Sequence, residues 1–227
     1  MLTVEEALEQ ILARTRVLET ESVDVTAALG RVLAEPIVSG REIPPWANSS
    51  MDGYAIRAAD TRNGGVPLRV VGRIAAGAVP SRTIGAGEAV RIFTGAPLPE
   101  GADAVVPQED VEVDGDHVRV PAGVTDGAYV RLRGEDVRPG DHVLSAGQRL
   151  AAAELGLLAT LGHSPVRVHR RPRVAILSTG NEIADLGAEP EPGQIPNTNT
   201  YSLMAQVEEA GAVPVNLGIA PDRLEAI

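Results

Sequence analysis

Residues 44–60, PPWANSSMDGYAIRAAD, separate a helical kind of sequence from a strand-like kind. Pro44 and Pro45 fix φ and forbid a helix start. After Trp46 a polar turn, Ala47-Asn48-Ser49-Ser50, leads to Met51-Asp52-Gly53 and then to the strand-like run Tyr54-Ala55-Ile56. An acid followed by glycine suits a binding site, because glycine opens backbone conformations closed to other residues and admits a ligand to close range. The plain alternative is an Asp-Gly turn joining two strands, as most such dipeptides are.

Upstream, Thr3 and Glu6 have capping-box spacing, and Val4, Ala7, Leu8, Ile11 and Leu12 recur on one helical face. A second helical stretch is expected from Thr26 to Ala34, stopping before Pro36. Both helices are expected simply to pack. Downstream, from residue 53 to 132, short apolar runs alternate with glycines, and Asp114-Gly115-Asp116 between two of them signals a hairpin. Residues 73–88, rich in small side chains, read as loop. Such a pattern predicts a small β domain. Helical periodicity returns from Ala151 to Leu161 and closes at Gly162. Then Val174-Ala175-Ile176-Leu177 reads as a strand buried on both faces, Thr200–Ala210 as a helix, and Val213–Gly218 as the next strand. That is a βαβ unit.

The predicted fold is therefore α/β and β in several domains. Residues 1–43 and 133–170 form a discontinuous helical domain, 44–132 an inserted β domain, and 171–227 the start of a parallel α/β domain. A single crossover cannot bury both faces of a parallel sheet, so this last domain reads as incomplete.

Composition narrows the function. Of 227 residues, 44% are hydrophobic and 22% charged, as in ordinary globular proteins, while aromatics at 2% leave the cores to Ala, Val, Leu and Ile. A net charge of −11 argues against nonspecific nucleic-acid binding, which needs cations to neutralise phosphates. The absence of cysteine excludes disulfides, thiolate metal sites and cysteine nucleophiles. His117, His142, His163 and His169 lack metal-ligand spacing. No signal peptide or membrane-length apolar run is present, and a cytoplasmic location is expected.

Other stretches could carry chemistry. Thr94-Gly95 ends a strand and could offer an oxyanion a hydroxyl and backbone N–H groups; an ordinary turn is the alternative. Arg131 and Arg133, beside Glu135 and Asp136, present planar forks suited to phosphate, or form a surface ion-pair cluster. Ser178, Thr179, Gly180, Asn181 and Glu182 follow the first buried strand, where ligands of open α/β sheets sit. Asn197, Thr198 and Asn199 lie at a helix N-terminus, able to serve an anion or to cap. Asp222 follows the second strand at the same edge, with helix capping as its other role.

The ordered motifs PPWANSSMDGYAIRAAD, RIFTGAPLPEGADAVVPQED, RLRGEDVRPGD, LSTGNEI and GQIPNTNTYSLMA resemble those of the MoeA/gephyrin-type molybdenum insertases, or molybdopterin molybdotransferases. The resemblance covers essentially the whole chain. It implies insertion of molybdate into adenylylated molybdopterin with release of AMP, dependent on Mg²⁺. It further implies that Asp52, Glu182 and Asp222 are catalytic acids and Mg²⁺ ligands. Thr94, Arg131, Arg133, Ser178, Thr179, Gly180, Asn181, Asn197, Thr198 and Asn199 would contact substrate. A homodimer is implied, with the cleft shared between the β domain of one subunit and the α/β domain of the other; contact with other cofactor-synthesis proteins stays open. The family pattern continues with a GGVSxGxxD segment, a lysine-bearing stretch and a further β-barrel, none of which occurs here, so turnover by these 227 residues alone is not expected. The other reading is a noncatalytic, gephyrin-like scaffold or binding module, which the intact acids disfavour.

Overall fold

The computed structural model describes residues 2–62, 65 and 67–226. It divides into two compact units, Val38–Val143 and Met1–Ile37 with Leu144–Ile227.

The Val38–Val143 unit is built on a six-stranded sheet. Its strand order is Ala104–Pro107, Gly53–Ile56, Glu88–Ile92, Pro67–Ile74, His117–Arg119, Glu112–Asp114. Every neighbouring pair is antiparallel except 67–74 with 88–92. That parallel pair is joined by the small-residue segment 75–87, long enough for the crossover such pairing needs. The Gly115-Asp116 hairpin forms as expected, with Asp114 opposite His117 and Gly115 at φ 59°. Side chains alternate between two cores on opposite faces of the sheet. Tyr54, Ile56, Ala89, Ala104 and Val106 pack in one, and Ala55, Val90, Ile92 and Val105 in the other. With both faces covered, strands 53–56 and 104–107 are buried along their whole length.

Gly53 does not serve as a left-handed turn. It lies within the strand, and a Cβ added there would stand 2.0 Å from the Val106 carbonyl oxygen. Close approach of the neighbouring backbone, rather than an unusual φ, requires glycine. Asp52-Gly53 is not the turn of a hairpin either, since the preceding Asn48–Ser49 strand pairs with Val130–Arg131.

In the second unit, helix α1 (Val4–Arg14) has the predicted Thr3–Glu6 capping box but buries none of its residues; Val4, Leu8, Ile11 and Leu12 are exposed. The helix expected over residues 26–34 is absent. Only a 3₁₀ turn, Val25–Ala27, forms before Gly30 turns left-handed at φ 73°. The following residues pair over long range instead. Leu33 N–H donates to Gln148 O (2.9 Å), Leu150 N–H to Arg31 O (2.8 Å) and Ala34 N–H to Arg167 O (3.0 Å). Backbone pairing overrides a weak helical tendency there. Strand Thr20–Val23 likewise pairs with Val166–His169. The flanks expected to be mostly helical are thus largely extended, with α1 and α2 (Ala152–Leu161) as their two α-helices among the described residues. Gly162, at φ 75°, closes α2 as predicted.

The βαβ unit is also as predicted: Arg173–Thr179 and Val213–Ala220 pair in parallel, joined through helix α3 (Asn199–Glu209). Ile176 is the one buried residue of strand 173–179, where burial on both faces was expected. A single crossover helix leaves much of a two-stranded sheet uncovered.

Substituting Gly53→Ala is expected to destabilise the fold by about 3 kcal/mol, near the upper end of overpacking costs. Urea denaturation would show this as a lowered midpoint. Gly72→Ala, where a Cβ meets nothing within 4 Å, is expected to leave the midpoint nearly unchanged.

Candidate functional site

Asp52 sits on a turn secured from several sides. Ser49 Oγ donates to Met51 O (2.6 Å), and the Ser50 N–H and hydroxyl both donate to Tyr129 O (3.0 Å each). Gln108 N–H donates to the Asp52 carbonyl (3.0 Å). The carboxylate is fixed as well, since Thr94 N–H and Thr94 Oγ1 both donate to Oδ1, each at 2.8 Å. Register explains the encounter. Gly53 is opposite Ile92, so Asp52, one residue before Gly53, and Thr94, two residues after Ile92, meet at one end of the sheet. The Thr94 N–H, then its hydroxyl, lower the Asp52 pKa, and the Arg91 charge adds to them against desolvation. Asp52 is therefore ionised at neutral pH.

The hydrogen bonds of Thr94 are directed to Asp52, and Gly95 N–H donates to Ser49 O (2.8 Å). Both N–H groups thought available to an oxyanion thus have partners inside the protein. Arg131 bonds Asp136, which holds its pKa above the ordinary value. Arg133 turns to Glu42, and Glu135 instead accepts from Leu132 N–H (2.7 Å). Each arginine is neutralised by a carboxylate.

The remaining candidates lie in the second unit. Ser178 and Thr179 end strand 173–179, and Gly180 N–H donates to Ala220 O (3.1 Å) on the neighbouring strand. Gly180 has φ 146°, and a Cβ there would meet the Glu182 carboxylate at 2.6–2.9 Å, so this carboxylate lies directly against the strand end. Asn181 and Glu182 are exposed, as is Asp222 beyond the end of strand 213–220. The two acids therefore follow adjacent parallel strands at their carboxyl ends, the usual ligand edge of such sheets.

Asn197 and Thr200 are buried and join Ser178 in a polar cluster. Ser178 Oγ and Thr200 Oγ1 are 2.6 Å apart, Ser178 Oγ donates to Asn197 Oδ1 (3.4 Å), and Thr200 N–H donates to the same oxygen (3.3 Å). Asn197 thus caps α3, while Thr198 makes no side-chain cap bond and, like Asn199, is exposed. Among the described residues, no group of three or more His, Asp or Glu side chains converges as a metal site. No helix among them is long and apolar enough to cross a membrane.

Sequence reasoning passed over Arg73, Arg91 and Phe93. Arg91 Cζ lies 5.0 Å from the Phe93 ring centre and 5.1 Å from that of Tyr54, and Arg73 Cζ lies 4.6 Å from Phe93. Arg91 also donates to Gly53 O (3.0 Å) and to Gln108 Oε1. Period-2 spacing of Arg91 and Phe93 around buried Ile92 was the available signal. The partner strand could not be read from the sequence.

Residues 2–162 match the family model described as the MoeA N-terminal region (domain I and II), and 175–227 one described as a probable molybdopterin binding domain. The chain is 43% identical over 213 residues to a molybdopterin molybdenumtransferase of a Nostoc species, covering 92% of this chain and 49% of that protein. Against the Bacillus subtilis molybdopterin molybdenumtransferase, identity is 37% over 232 residues, covering 99% and 54%. A crystal structure of the molybdopterin biosynthesis MoeA protein from Pyrococcus horikoshii aligns with a TM-score of 0.91 at 35% identity, covering 100% of this chain and 62% of that one. The chain spans about half the length of the curated relatives it matches.

A carbon-13 NMR titration is expected to place the Asp52 carboxyl below its ordinary 3.8. Because the folded pKa is the lower one, its stabilising contribution is complete above 3.8 and is lost as pH falls through the folded value. Thr94→Val removes the hydroxyl bond but keeps the N–H bond, so the pKa should rise only part of the way; no rise would refute this account. Asn197→Ala should cost about 1 kcal/mol through loss of the α3 cap, read as a lower urea midpoint.

Proposed function

Because this chain belongs to the MoeA-type molybdopterin molybdenumtransferase family, we propose that it serves the insertion of molybdate into adenylylated molybdopterin, with release of AMP. The observation that carries this is the Asp52–Thr94 clasp, which holds an ionised carboxylate at a fixed position within the family-matching residues. A preorganised charge needs no reorganisation when the substrate arrives.

In this proposal Asp52 holds charge at the reacting phosphate, with Glu182 and Asp222 supplying further carboxylate oxygens at the edge of the α/β sheet. Their hard oxygen donors suit Mg²⁺, which is commonly held by one or two carboxylates together with substrate phosphates and water. A full protein cage is not needed for Mg²⁺ held in that way. Bound there, Mg²⁺ would neutralise and orient the pyrophosphate of the adenylylated pterin. Ser178, Thr179, Gly180 and Asn181 would line the pterin or phosphate approach; Asn197, through its cap, would set the start of α3 beside it. Arg131 and Arg133 could meet an oxyanion only in exchange for Asp136 and Glu42. Homodimer formation belongs to the same proposal.

Calorimetric titration of the 227-residue chain with adenylylated molybdopterin, with and without Mg²⁺, tests it. Binding that requires Mg²⁺ and weakens about tenfold or more in Asp52→Ala is expected, equivalent to about 1.4 kcal/mol. Binding indifferent to both Mg²⁺ and the substitution would overturn the role given to Asp52.

A further inference from the structure

Strands 67–74 and 88–92 carry two charged cross-strand pairs of opposite character. At one end Arg69 is opposite Glu88, whose carboxylate binds Arg69 (2.7 Å) and Arg82 (3.2 Å). At the other end Arg73 is opposite Arg91. Like charges placed directly opposite one another are destabilising. Here the two guanidiniums also converge on one ring, that of Phe93, at 4.6 and 5.0 Å. In this chain of net charge −11 several other arginines are paired with acids, as Arg31 is with Glu21, Arg131 with Asp136 and Arg133 with Glu42. Among the described residues, neither Arg73 nor Arg91 forms a salt bridge.

The surroundings hold Arg91 in place without a salt bridge. Its donors to Gly53 O and Gln108 Oε1 meet uncharged acceptors, and Tyr54 lies beneath it at 5.1 Å. Arg73 makes no hydrogen bond among the described residues; it is exposed and lies over Phe93. Phe93 directly precedes Thr94, which fixes Asp52. The sheet therefore gathers two guanidiniums without salt bridges at Phe93, and the charge of Arg91 reaches the fixed Asp52 carboxylate.

We infer that Arg73 and Arg91, stacked on Phe93, form an anion subsite next to Asp52 that takes a phosphate group. A tetrahedral dianion between the two forks relieves their mutual repulsion and accepts charge-assisted hydrogen bonds from both. The pairs that engage Arg131 and Arg133 leave Arg73 and Arg91 as the nearer fit for this role. The choice of a phosphate as ligand rests on the proposed function; the subsite itself rests on the geometry.

The test is nitrogen-15 NMR of the intact chain, reading arginine side-chain Nε–H signals and the Phe93–Gly95 amides during titration with AMP, inorganic phosphate or molybdate. Shifts at Arg73 and Arg91 are expected, with affinity reduced about tenfold in Arg73→Glu and less in Arg73→Gln, as for loss of one charge-assisted contact. Arg73 is exposed and opposite a like charge, so neither variant should lower the melting temperature. Shifts with AMP alone identify a nucleotide phosphate, whereas shifts with phosphate and molybdate identify a free oxyanion; either supports the subsite. Anions that leave both arginine signals unmoved, or that bind Arg73→Glu as tightly as wild type, overturn it. If Mg²⁺-dependent pterin binding persists in that case, the subsite alone has failed. If the arginines bind phosphate while pterin binding is indifferent to Asp52, the proposed function has failed and the subsite stands.

Discussion

At the centre of the Val38–Val143 unit two backbones approach too closely for any side chain to stand between them. Gly53 meets Val106 across strands 53–56 and 104–107, and this contact fixes the sheet on both sides. Strand 104–107 is held on one flank, and on the other Gly53 is set opposite Ile92 of strand 88–92. Everything at this end of the sheet follows from that register. Asp52 must emerge beside Thr94, Arg91 must lie over Tyr54, and Gln108 must reach back to the Asp52 carbonyl. A slip by one residue would carry Asp52 to the other face and put Tyr54 outside its core. The fixed carboxylate is thus a product of strand pairing rather than of its own turn.

Much of this was legible. Thr3 with Glu6, Gly162 after a helical run, and Gly115 between two short strands are local signals that formed as read, and the apolar runs on either side of α3 formed strands, though 173–179 is mostly exposed. Failures occurred where partners distant in sequence decide the outcome. Residues 26–34 have a helical pattern, yet Gln148, Leu150 and Arg167 offer backbone partners that turn this segment extended. Gly53 was read as a conformational device because its neighbour 53 residues later, Val106, cannot be known from the sequence. Arg133 had Glu135 and Asp136 close by and bonded Glu42 instead, 91 residues away.

Charge shows the same division. A net charge of −11 says little about any one place, but pairing shows where positive charge is balanced. Arg131 and Arg133, the arginines that stand out in the sequence, are balanced by acids, and exposed pairs of that kind contribute little stability. Arg73 and Arg91 stand in runs that look like ordinary strands. Only the register between 67–74 and 88–92 puts them together, and the ring of Phe93 is the partner they share. A cation held against an aromatic face is oriented while keeping its charge.

The three acids differ in how far the fold prepares them. Asp52 already accepts two hydrogen bonds at 2.8 Å and lies on a turn whose carbonyls are bonded. Among the described residues, the Glu182 and Asp222 side chains make no such bonds, although Glu182 leans on Gly180. In the second unit the hydroxyl next to the acids, Ser178, bonds Thr200 and Asn197 and so stabilises the strand–helix junction. Its counterpart Thr94 bonds the acid itself. Ordering an exposed carboxylate on binding costs side-chain entropy, on the order of 0.5–1.5 kcal/mol for each immobilised side chain. Asp52 has met that cost in folding, whereas Glu182 and Asp222 would meet it when ligand binds.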